Sequence, residues 1–146
     1  MPSLTRPPTP VADQRPSQGI LDTSVVIDLD SINPSVLPVE VAVTAITMAE
    51  LAAGTHAAMD ADERARRQDR LQRAEAAFDP LPFDNSAARA YGRIYSSVIA
   101  TGHKARDARA VDLLIAAVAC SEQLPLYTRN AADFAALSDL VTVIDV

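Results

Sequence analysis

The sequence predicts an α/β fold, a three-layer α/β/α sandwich with a mainly parallel central sheet. Short apolar segments rich in β-branched residues alternate along the chain with longer segments of helical pattern. Residues 111–119 are apolar almost all round, which is typical of a buried helix. Strands separated by helices are joined by crossover connections, which make neighbouring strands parallel. The 146 residues leave room for one hydrophobic core.

The first 18 residues are predicted to be a disordered N-terminal tail, followed by a single domain over residues 19–146. Prolines stand at positions 2, 7, 8, 10 and 16, with no apolar periodicity around them. The domain is expected to begin with a buried strand at residues 19–21. A helix over residues 25–27 follows, and Thr23 and Ser24 are candidates to cap it.

The middle of the chain predicts a second strand and a long helix. Residues 40–46 are rich in β-branched side chains, which favour a strand, and Thr47 is expected to begin a helix that reaches residue 52. A charged segment rich in Ala and Arg predicts a mostly solvated helix over residues 60–78. Residues 80–83 are expected to form a connector or an edge strand.

The C-terminal part predicts two helices, a strand, a short helix and a last strand. Asn85 or Ser86 is expected to cap a helix that Gly102 ends. Asp107 precedes the buried helix at residues 111–119. The remaining elements are expected at residues 125–128, 131–137 and 141–144.

Four acidic residues stand where this fold would bring them together. Asp22, Glu50 and Asp133 each follow a predicted strand, and ligands of open parallel sheets lie beyond the carboxyl ends of the strands. Asp112 lies near the start of the apolar helix, where an ionised carboxylate needs a cation or another partner. Converging carboxylates repel one another unless a cation compensates them. Since all the ligands would be oxygens, the sequence predicts a site for Mg²⁺ or Mn²⁺.

Three of these acids also have a simpler interpretation. Asp22 could cap the helix that follows it. Thr47 and Glu50 have the spacing of a capping box, in which the Glu side chain reaches back to the Thr backbone amide. Asn130 could cap the next helix, with Asp133 as a first-turn acid.

The net charge of −6 is unfavourable for a protein that binds nucleic acid through a broadly basic surface. The basic residues are unevenly placed, however. Arg106, Arg109 and Arg129 flank predicted site acids and are candidates to bind phosphate groups, although Arg106 or Arg109 could instead pair with Asp112. Five more arginines share one segment, where they would form a solvated helix face or a phosphate-binding surface: Arg64, Arg66, Arg67, Arg70 and Arg73.

Several other functions find little support in the sequence. His56 and His103 lack the spacing of zinc ligands, and no phosphate-binding loop is visible among four glycines. The single cysteine, Cys120, cannot form a disulfide within the chain and is expected to be a buried small side chain. The chain has neither the apolar run of a membrane span nor that of a signal peptide, so we expect a cytoplasmic protein.

Four blocks of sequence carry a resemblance to a known family. They are Leu21-Asp22-Thr23-Ser24-Val25, Thr47-Met48-Ala49-Glu50-Leu51, Val111-Asp112-Leu113-Leu114-Ile115-Ala116-Ala117 and Thr128-Arg129-Asn130-Ala131-Ala132-Asp133-Phe134. In this order they resemble the signature blocks of the PIN-domain family, and in detail the VapC toxins of bacterial toxin–antitoxin pairs. The resemblance runs from about residue 19 to residue 146. The N-terminal tail is longer than is usual in such toxins, and some relatives place an acid where Asn130 stands.

The resemblance implies a Mg²⁺-dependent endoribonuclease that cleaves cellular RNA and inhibits translation. It also implies a homodimer and inhibition by a cognate VapB-type antitoxin. By position, Asp22, Glu50, Asp112 and Asp133 match the acidic quartet of the family, and Thr128 or Asn130 matches the polar residue that supports it. In the expected mechanism Asp22 and Asp112 hold the metal, while Glu50 or Asp133 orients the attacking water or holds a second ion.

Two rival functions stay open at this point. Phosphatases of the haloacid-dehalogenase type also place an Asp after the first strand and bind Mg²⁺, but they need a second Asp two positions later, where this chain has Ser24. A non-catalytic module that binds only a protein partner would keep the acids as helix caps. Binding of Mn²⁺ would separate this second rival from an enzyme.

Overall fold

The central sheet has four parallel strands. The computed structural model describes residues 14–102 and 110–146, together with residues 5 and 8. The strands are β1 (Gln18–Leu21), β2 (Glu40–Ala42), β3 (Leu126–Thr128) and β4 (Val143–Asp145), in the order β2-β1-β3-β4. Each neighbouring pair is parallel. The predicted parallel sheet is therefore confirmed.

Five α-helices surround the sheet within the described residues. They are α1 (Thr23–Ile27), α2 (Ala45–Ala57), α3 (Ala61–Ala77), α4 (Asn85–Ala100) and α5 (Ala110–Glu122). Short 3₁₀ helices lie at Leu29–Ser31, Pro34–Val36 and Ala131–Leu137. None of the helices in these parts of the chain is both long and apolar enough to cross a membrane.

The helices form one layer on each side of the sheet. Successive side chains of a strand point to opposite faces, so Ile20 and Leu21 enter different cores. Ile20 and Leu126 pack with side chains of α4 and α5 such as Ile94. Leu21 and Tyr127 pack with side chains of α1, α2 and α3, among them Val25, Leu51 and Leu71. The architecture is therefore the α/β/α sandwich that the sequence predicts.

The strand order reverses between β1 and β3. From β1 the chain moves to β2 at one edge of the sheet, and it later returns to β3 on the other side of β1. In open α/β sheets such a reversal of strand order is where ligands bind, beyond the carboxyl ends of the strands. The residues that follow β1 and β3 are Asp22 and Arg129. This end of the sheet is therefore where the topology favours a ligand site.

Close contact around β1 requires a glycine at position 19. A Cβ atom there would lie 2.5 Å from Cε2 of Tyr127 and 3.0 Å from Cγ of Pro38. Because the Tyr127 ring is fully buried, it has no free space into which to move. Gly19 therefore allows the neighbouring strand β3 to place an aromatic ring directly against the backbone of β1.

The first strand begins one residue earlier than predicted, and hydrogen bonds precede it. Gln18 is the first residue of β1, and the carbonyl oxygens of Pro16 and Ser17 accept hydrogen bonds from the N–H groups of Val39 and Glu40 at 3.1 and 2.9 Å. Ordered backbone contacts thus reach Pro16, while the boundary between tail and domain stays a prediction. Residues 1–4, 6, 7 and 9–13 lie outside the described residues, so disorder of the tail stays a prediction.

The start of α2 differs from the prediction by two residues. Its N-cap is Thr44, whose Oγ1 accepts a hydrogen bond from the N–H of Thr47 at 3.2 Å. Thr44 also pairs with Leu81 in an isolated parallel bridge, and the Ala45 N–H donates to the Leu81 carbonyl at 2.8 Å. This bridge ends the extended backbone at Thr44, so the predicted strand over residues 40–46 is shorter and Thr47 lies inside the helix.

Two other predicted caps are also corrected. Thr23 and Ser24 lie inside α1, which begins directly after Asp22. The N-cap of α4 is Asp84, whose Oδ1 accepts a hydrogen bond from the Ala87 N–H at 2.9 Å, rather than Asn85 or Ser86. Gly102, with a φ of +79°, ends α4 as predicted.

Two further predictions concern Asp107, before α5, and the burial of Cys120. Asp107 lies outside the described residues. Cys120 is half-buried rather than buried: it packs against the core beside α5, and its Sγ lies 3.7 Å from a guanidinium nitrogen of Arg93.

Candidate metal centre

Asp22 is the buried acid at the point where the strand order reverses. It follows β1 directly, is only 3% exposed, and its N–H donates to the Tyr127 carbonyl of β3 at 2.8 Å. Both Ser24 and Thr128 donate a hydroxyl hydrogen bond to Asp22 Oδ2, at 2.9 and 2.8 Å. Each of these hydroxyls also accepts a backbone hydrogen bond, from Arg129 to Ser24 at 3.2 Å and from Asn130 to Thr128 at 3.1 Å. One oxygen of the carboxylate is therefore held firmly by both strands.

The other oxygen of Asp22 has no such partner. Within the described residues, Asp22 Oδ1 is a buried side-chain atom without a hydrogen bond. Leaving a buried acceptor unpaired costs about 1–3 kcal/mol, and more for a charged group. A divalent cation bound at Oδ1 would remove this cost, and carboxylate oxygen is the ligand that Mg²⁺ prefers. Asp22 therefore fits the predicted metal ligand.

Glu50 lies close to Asp22 through a chain of hydroxyl groups. The Thr23 hydroxyl donates to Glu50 Oε1 at 2.6 Å, and Thr23 Oγ1 lies 2.9 Å from Oγ1 of Thr47. Since Thr23 has one hydroxyl proton and gives it to Glu50, Thr47 is the donor of the second bond. The helices α1 and α2 are thus joined at the site by three side chains.

Burial raises the pKa of the Glu50 carboxyl above its ordinary value, and the negative charge of Asp22 raises it further. The hydrogen bond from Thr23 acts in the opposite direction and lowers it. The Asp22 charge thus acts on Glu50, and the two predicted acids share one electrostatic environment. A cation between two such groups would favour their ionised forms.

The capping interpretations of these acids are not supported. Asp22 stands at the N-cap position of α1 but makes no side-chain capping hydrogen bond. Thr44 is the N-cap of α2, so Thr47 and Glu50 are not a capping box. Asn130 stands at the N-cap position of the 3₁₀ helix Ala131–Leu137, again without a side-chain capping bond. The simpler interpretation therefore lacks the hydrogen bonds that it requires at Asp22, Glu50 and Asn130.

The other two predicted ligands lie on separate elements. Asp112 is in the first turn of α5 and is half-buried, whereas Asp133 is in the first turn of the 3₁₀ helix after β3 and is exposed. Among the residues that the structure describes, no three His, Cys, Asp or Glu side chains form a group that could hold a metal ion. The joint use of Asp112 and Asp133 with Asp22 and Glu50 therefore stays a prediction.

Only one of the three arginines predicted to bind phosphate can be placed. Arg129 Nε lies 3.5 Å from Asp28 Oδ2, in an ion pair whose side chains are 39% and 49% exposed. Such surface pairs contribute little to stability, so this pair would yield readily to a phosphate. Arg106 and Arg109 lie outside the described residues, as does His103, while His56 is exposed in the last turn of α2.

Three further residues belong to this site, although the sequence pattern indicated other roles for them. Ser24 donates to Asp22, Thr23 donates to Glu50, and Thr47 donates to Thr23. The signal for Ser24 was present, because a hydroxyl residue shortly after an acid at a strand end can reach back to it, as Ser24 does to Asp22. The role of Thr47 depends on the packing of α1 against α2 and leaves no local pattern.

The fold and site define an α/β/α domain with a buried acid at the reversal point of a parallel sheet. The sequence matches the family described as PIN domain over residues 20–140. The protein Ribonuclease VapC5 from Mycobacterium tuberculosis is 40% identical over 131 residues, which cover 88% of this chain and 93% of that protein. The chain therefore belongs to the PIN-domain family, and within it to the VapC family.

Solved structures agree with this assignment. The crystal structure of VapBC-5 from Mycobacterium tuberculosis, described as a member of the VapBC family of toxin–antitoxin systems, matches with a TM-score of 0.79 and 40% identity, covering 90% of this chain and 100% of that chain. FitAcB from Neisseria gonorrhoeae matches with a TM-score of 0.65 and 29% identity, covering 86% of this chain and 96% of that chain. The resemblance seen in the four sequence blocks is confirmed.

Proposed function

We propose that this protein is the toxin of a type II toxin–antitoxin system and acts as a Mg²⁺-dependent endoribonuclease that cleaves cellular RNA and so inhibits translation. The observation that carries the proposal is Asp22, a buried carboxylate with one oxygen fixed by two hydroxyls and the other unpaired within the described residues. The 40% identity to Ribonuclease VapC5 over most of both chains supports the choice of RNA as substrate.

In the proposed site, Asp22 is the principal metal ligand, with Asp112 as the second, and Glu50 and Asp133 contribute directly or through water. A bound divalent cation would neutralise charge on the phosphodiester and make water a stronger nucleophile at neutral pH. Mn²⁺ has similar ligand preferences and would serve in its place. Ser24 and Thr128 keep Asp22 in one orientation, so its free oxygen always faces the same position.

Glu50 is the proposed proton acceptor. Its Oε1 accepts the Thr23 hydroxyl, and no hydrogen bond to Oε2 is present within residues 14–102 and 110–146. Oε2 is therefore the oxygen that would accept a proton from the attacking water. If water is the nucleophile, the RNA product carries a 5′-phosphate. A 2′,3′-cyclic phosphate would instead mean that the RNA 2′-hydroxyl attacks, and would refute this scheme.

The two rival functions have become weaker. Ser24 stands where a haloacid-dehalogenase phosphatase needs its second Asp, and its hydroxyl is used to anchor Asp22 and the N–H of Arg129. A non-catalytic module would use the acids as helix caps, yet Asp22 and Glu50 do not cap. The ribonuclease is therefore the better explanation of both residues.

We propose a VapB-type antitoxin as the protein partner, because solved relatives are VapBC toxin–antitoxin complexes. A homodimer also stays part of the proposal. The outer face of α4 carries Tyr95 and Ile99, which are 42% and 50% exposed, and offers an apolar surface for it. RNA and antitoxin would meet this protein in the cytoplasm.

The function is tested by incubating the purified protein with total cellular RNA and Mn²⁺ and mapping the new 5′ ends by ligation. We expect cleavage that EDTA abolishes and that Asp22→Asn removes. The matched control is Asp139→Asn, an exposed acid before β4 at the opposite end of the sheet, which should cleave like the wild type. Cleavage by Asp22→Asn at the wild-type rate would refute the proposal, whereas release of phosphate from a small phosphomonoester without RNA cleavage would favour the phosphatase.

A further inference from the structure

A cavity of about 340 Å³ lies between α1, α2 and α3 and opens beside the candidate metal centre. Its wall includes Thr23 and Glu50 from that centre, Ile27 and Gly54, and two arginines of α3, Arg67 and Arg70. Its volume is at the lower end of the range for pockets that hold small organic groups. The cavity is thus continuous with the acidic site and leads from it towards a basic helix.

Most of the arginines along α3 are neutralised by acids. Arg66 and Arg67 both bind the carboxylate of Glu63, at 2.6 and 2.9 Å, and Arg67 also donates to the Gly54 carbonyl at 2.8 Å. Arg73 pairs with Asp69 at 3.0 Å and with Asp30 at 3.4 Å. These residues stabilise the helix and its contact with α2.

Arg70 differs from these neighbours. In the described parts of the chain its guanidinium makes no ion pair or hydrogen bond, although it is half-buried in the cavity wall. It also lines an adjoining groove of about 190 Å³ between α1 and α3. An unpaired guanidinium with five N–H donors at the rim of a pocket is suited to a phosphate group. Arg64 is also unpaired among the described residues, but it is exposed and lies away from both openings.

Gly54 gives a second and independent indication. It lies inside α2, where glycine makes a helix less stable than alanine does. A Cβ atom at this position would meet only Cδ of Arg67, at 4.0 Å, which is an ordinary contact. Packing within the described part of the protein therefore does not require glycine here. Because glycine has no side chain, a ligand in the cavity can approach the backbone of α2 closely at this position.

We propose that this cavity receives one unpaired nucleotide of the RNA substrate, next to the phosphodiester that is cleaved, and that Arg70 binds a phosphate of that nucleotide. Its base would lie against Ile27 and Leu51 and beside the guanidinium of Arg67. Proteins recognise single-stranded RNA in this way, with exposed bases on apolar or guanidinium surfaces. The inference rests on the proposed ribonuclease function, and it names the part of the protein that selects single-stranded RNA.

The first test uses a fluorescein-labelled, random-sequence single-stranded RNA of 12 nucleotides, with binding measured by anisotropy in EDTA over a range of salt concentrations. We expect Arg70→Ala to weaken binding about five- to tenfold. The slope of log K against log salt should fall by about 0.7, the value for one phosphate contact with a single strand. The matched control is Arg64→Ala, which removes the same charge from the same helix and should leave the slope unchanged.

The second test fills the cavity without changing any charge. Gly54→Leu places a side chain in the space and should improve helix propensity, so the fold is expected to survive. Ala53→Leu, at an exposed neighbouring position of α2, is its control. We expect Gly54→Leu to weaken RNA binding at least fivefold, with Ala53→Leu within twofold of the wild type. Urea unfolding of all four variants shows that each is folded.

The inference is overturned if Arg70→Ala and Arg64→Ala behave alike, or if Gly54→Leu binds as well as Ala53→Leu. It is also overturned if both cavity variants keep RNA affinity and lose only binding of a co-purified VapB-type antitoxin, since the cavity would then be a protein-docking site. Failure of the ribonuclease proposal looks different. In that case the wild type would not cleave RNA with Mn²⁺, while RNA binding could still depend on Arg70.

Discussion

Replacing Asp22 with asparagine should separate the stability of the metal-free protein from its response to metal. The asparagine side chain would keep an oxygen that accepts the hydroxyls of Ser24 and Thr128, and the substitution would remove the charge that raises the pKa of Glu50. Removal of the negative charge stabilises the folded state, whereas an unpaired amide N–H in place of Oδ1 destabilises it. We therefore expect the free energy of unfolding in EDTA to change by no more than about 1 kcal/mol.

Added Mn²⁺ should then make the wild type clearly more stable than Asp22→Asn. A ligand at about 100 times its Kd stabilises a folded protein by about 2.7 kcal/mol. For a domain of this size that is a rise in Tm of about 10 °C for the wild type. Asp22→Asn should show almost none of this rise, and Asp139→Asn should show all of it. Differential scanning calorimetry with and without Mn²⁺ measures both effects.

Two results would refute this reasoning. If Asp22→Asn lowered the free energy of unfolding in EDTA by more than about 3 kcal/mol, the main role of Asp22 would be to stabilise the fold and not to bind a metal ion. If its Tm rose with Mn²⁺ as much as that of the wild type, the cation would bind elsewhere on the protein.

Three further predictions concern stability. The pKa of Glu50 is raised in the folded state, so ionisation of Glu50 opposes folding. Glu50→Gln should therefore be more stable than the wild type in EDTA at neutral pH, and urea titrations should show this advantage disappearing below the ordinary pKa of about 4.5. Equal stability of the two proteins at pH 7 would contradict this prediction. Gly19→Ala should lose about 1–3 kcal/mol through the clash with Tyr127, and an unchanged urea midpoint would mean that the strands can separate without cost. Gln123 ends α5 with a φ of +55°, so Gln123→Gly should gain up to about 1 kcal/mol, and a loss of stability would show that the side chain is needed.

The sequence predicted the sheet and most helices because their patterns are local. Buried strands such as Leu126–Thr128 and the apolar helix α5 bury most of their side chains, and their composition shows it. The start of α2 was predicted wrongly because two threonines three residues apart are equally good caps. The bridge between Thr44 and Leu81 decides between them, and it joins segments that no local pattern relates.

The candidate site was predictable at the level of residue types and less so at the level of contacts. The position of Asp22 after an apolar strand indicated an acid at the sheet edge, and the structure places it there. The bond from Thr128 to Asp22 spans 106 residues and depends on β1 and β3 being neighbours. Strand order could not be obtained from the sequence, so this geometry could not either.

The two hydroxyls that hold Oδ2 of Asp22 would make binding of the proposed ion tighter. A free aspartate must give up side-chain rotation when it binds a cation, whereas this one has already done so when the chain folds. Ser24 and Thr128 would therefore strengthen ion binding without contacting the ion themselves. Thr128→Val keeps the shape of the side chain but removes one hydrogen bond to Asp22, so it would leave the charge intact and still weaken binding of the ion.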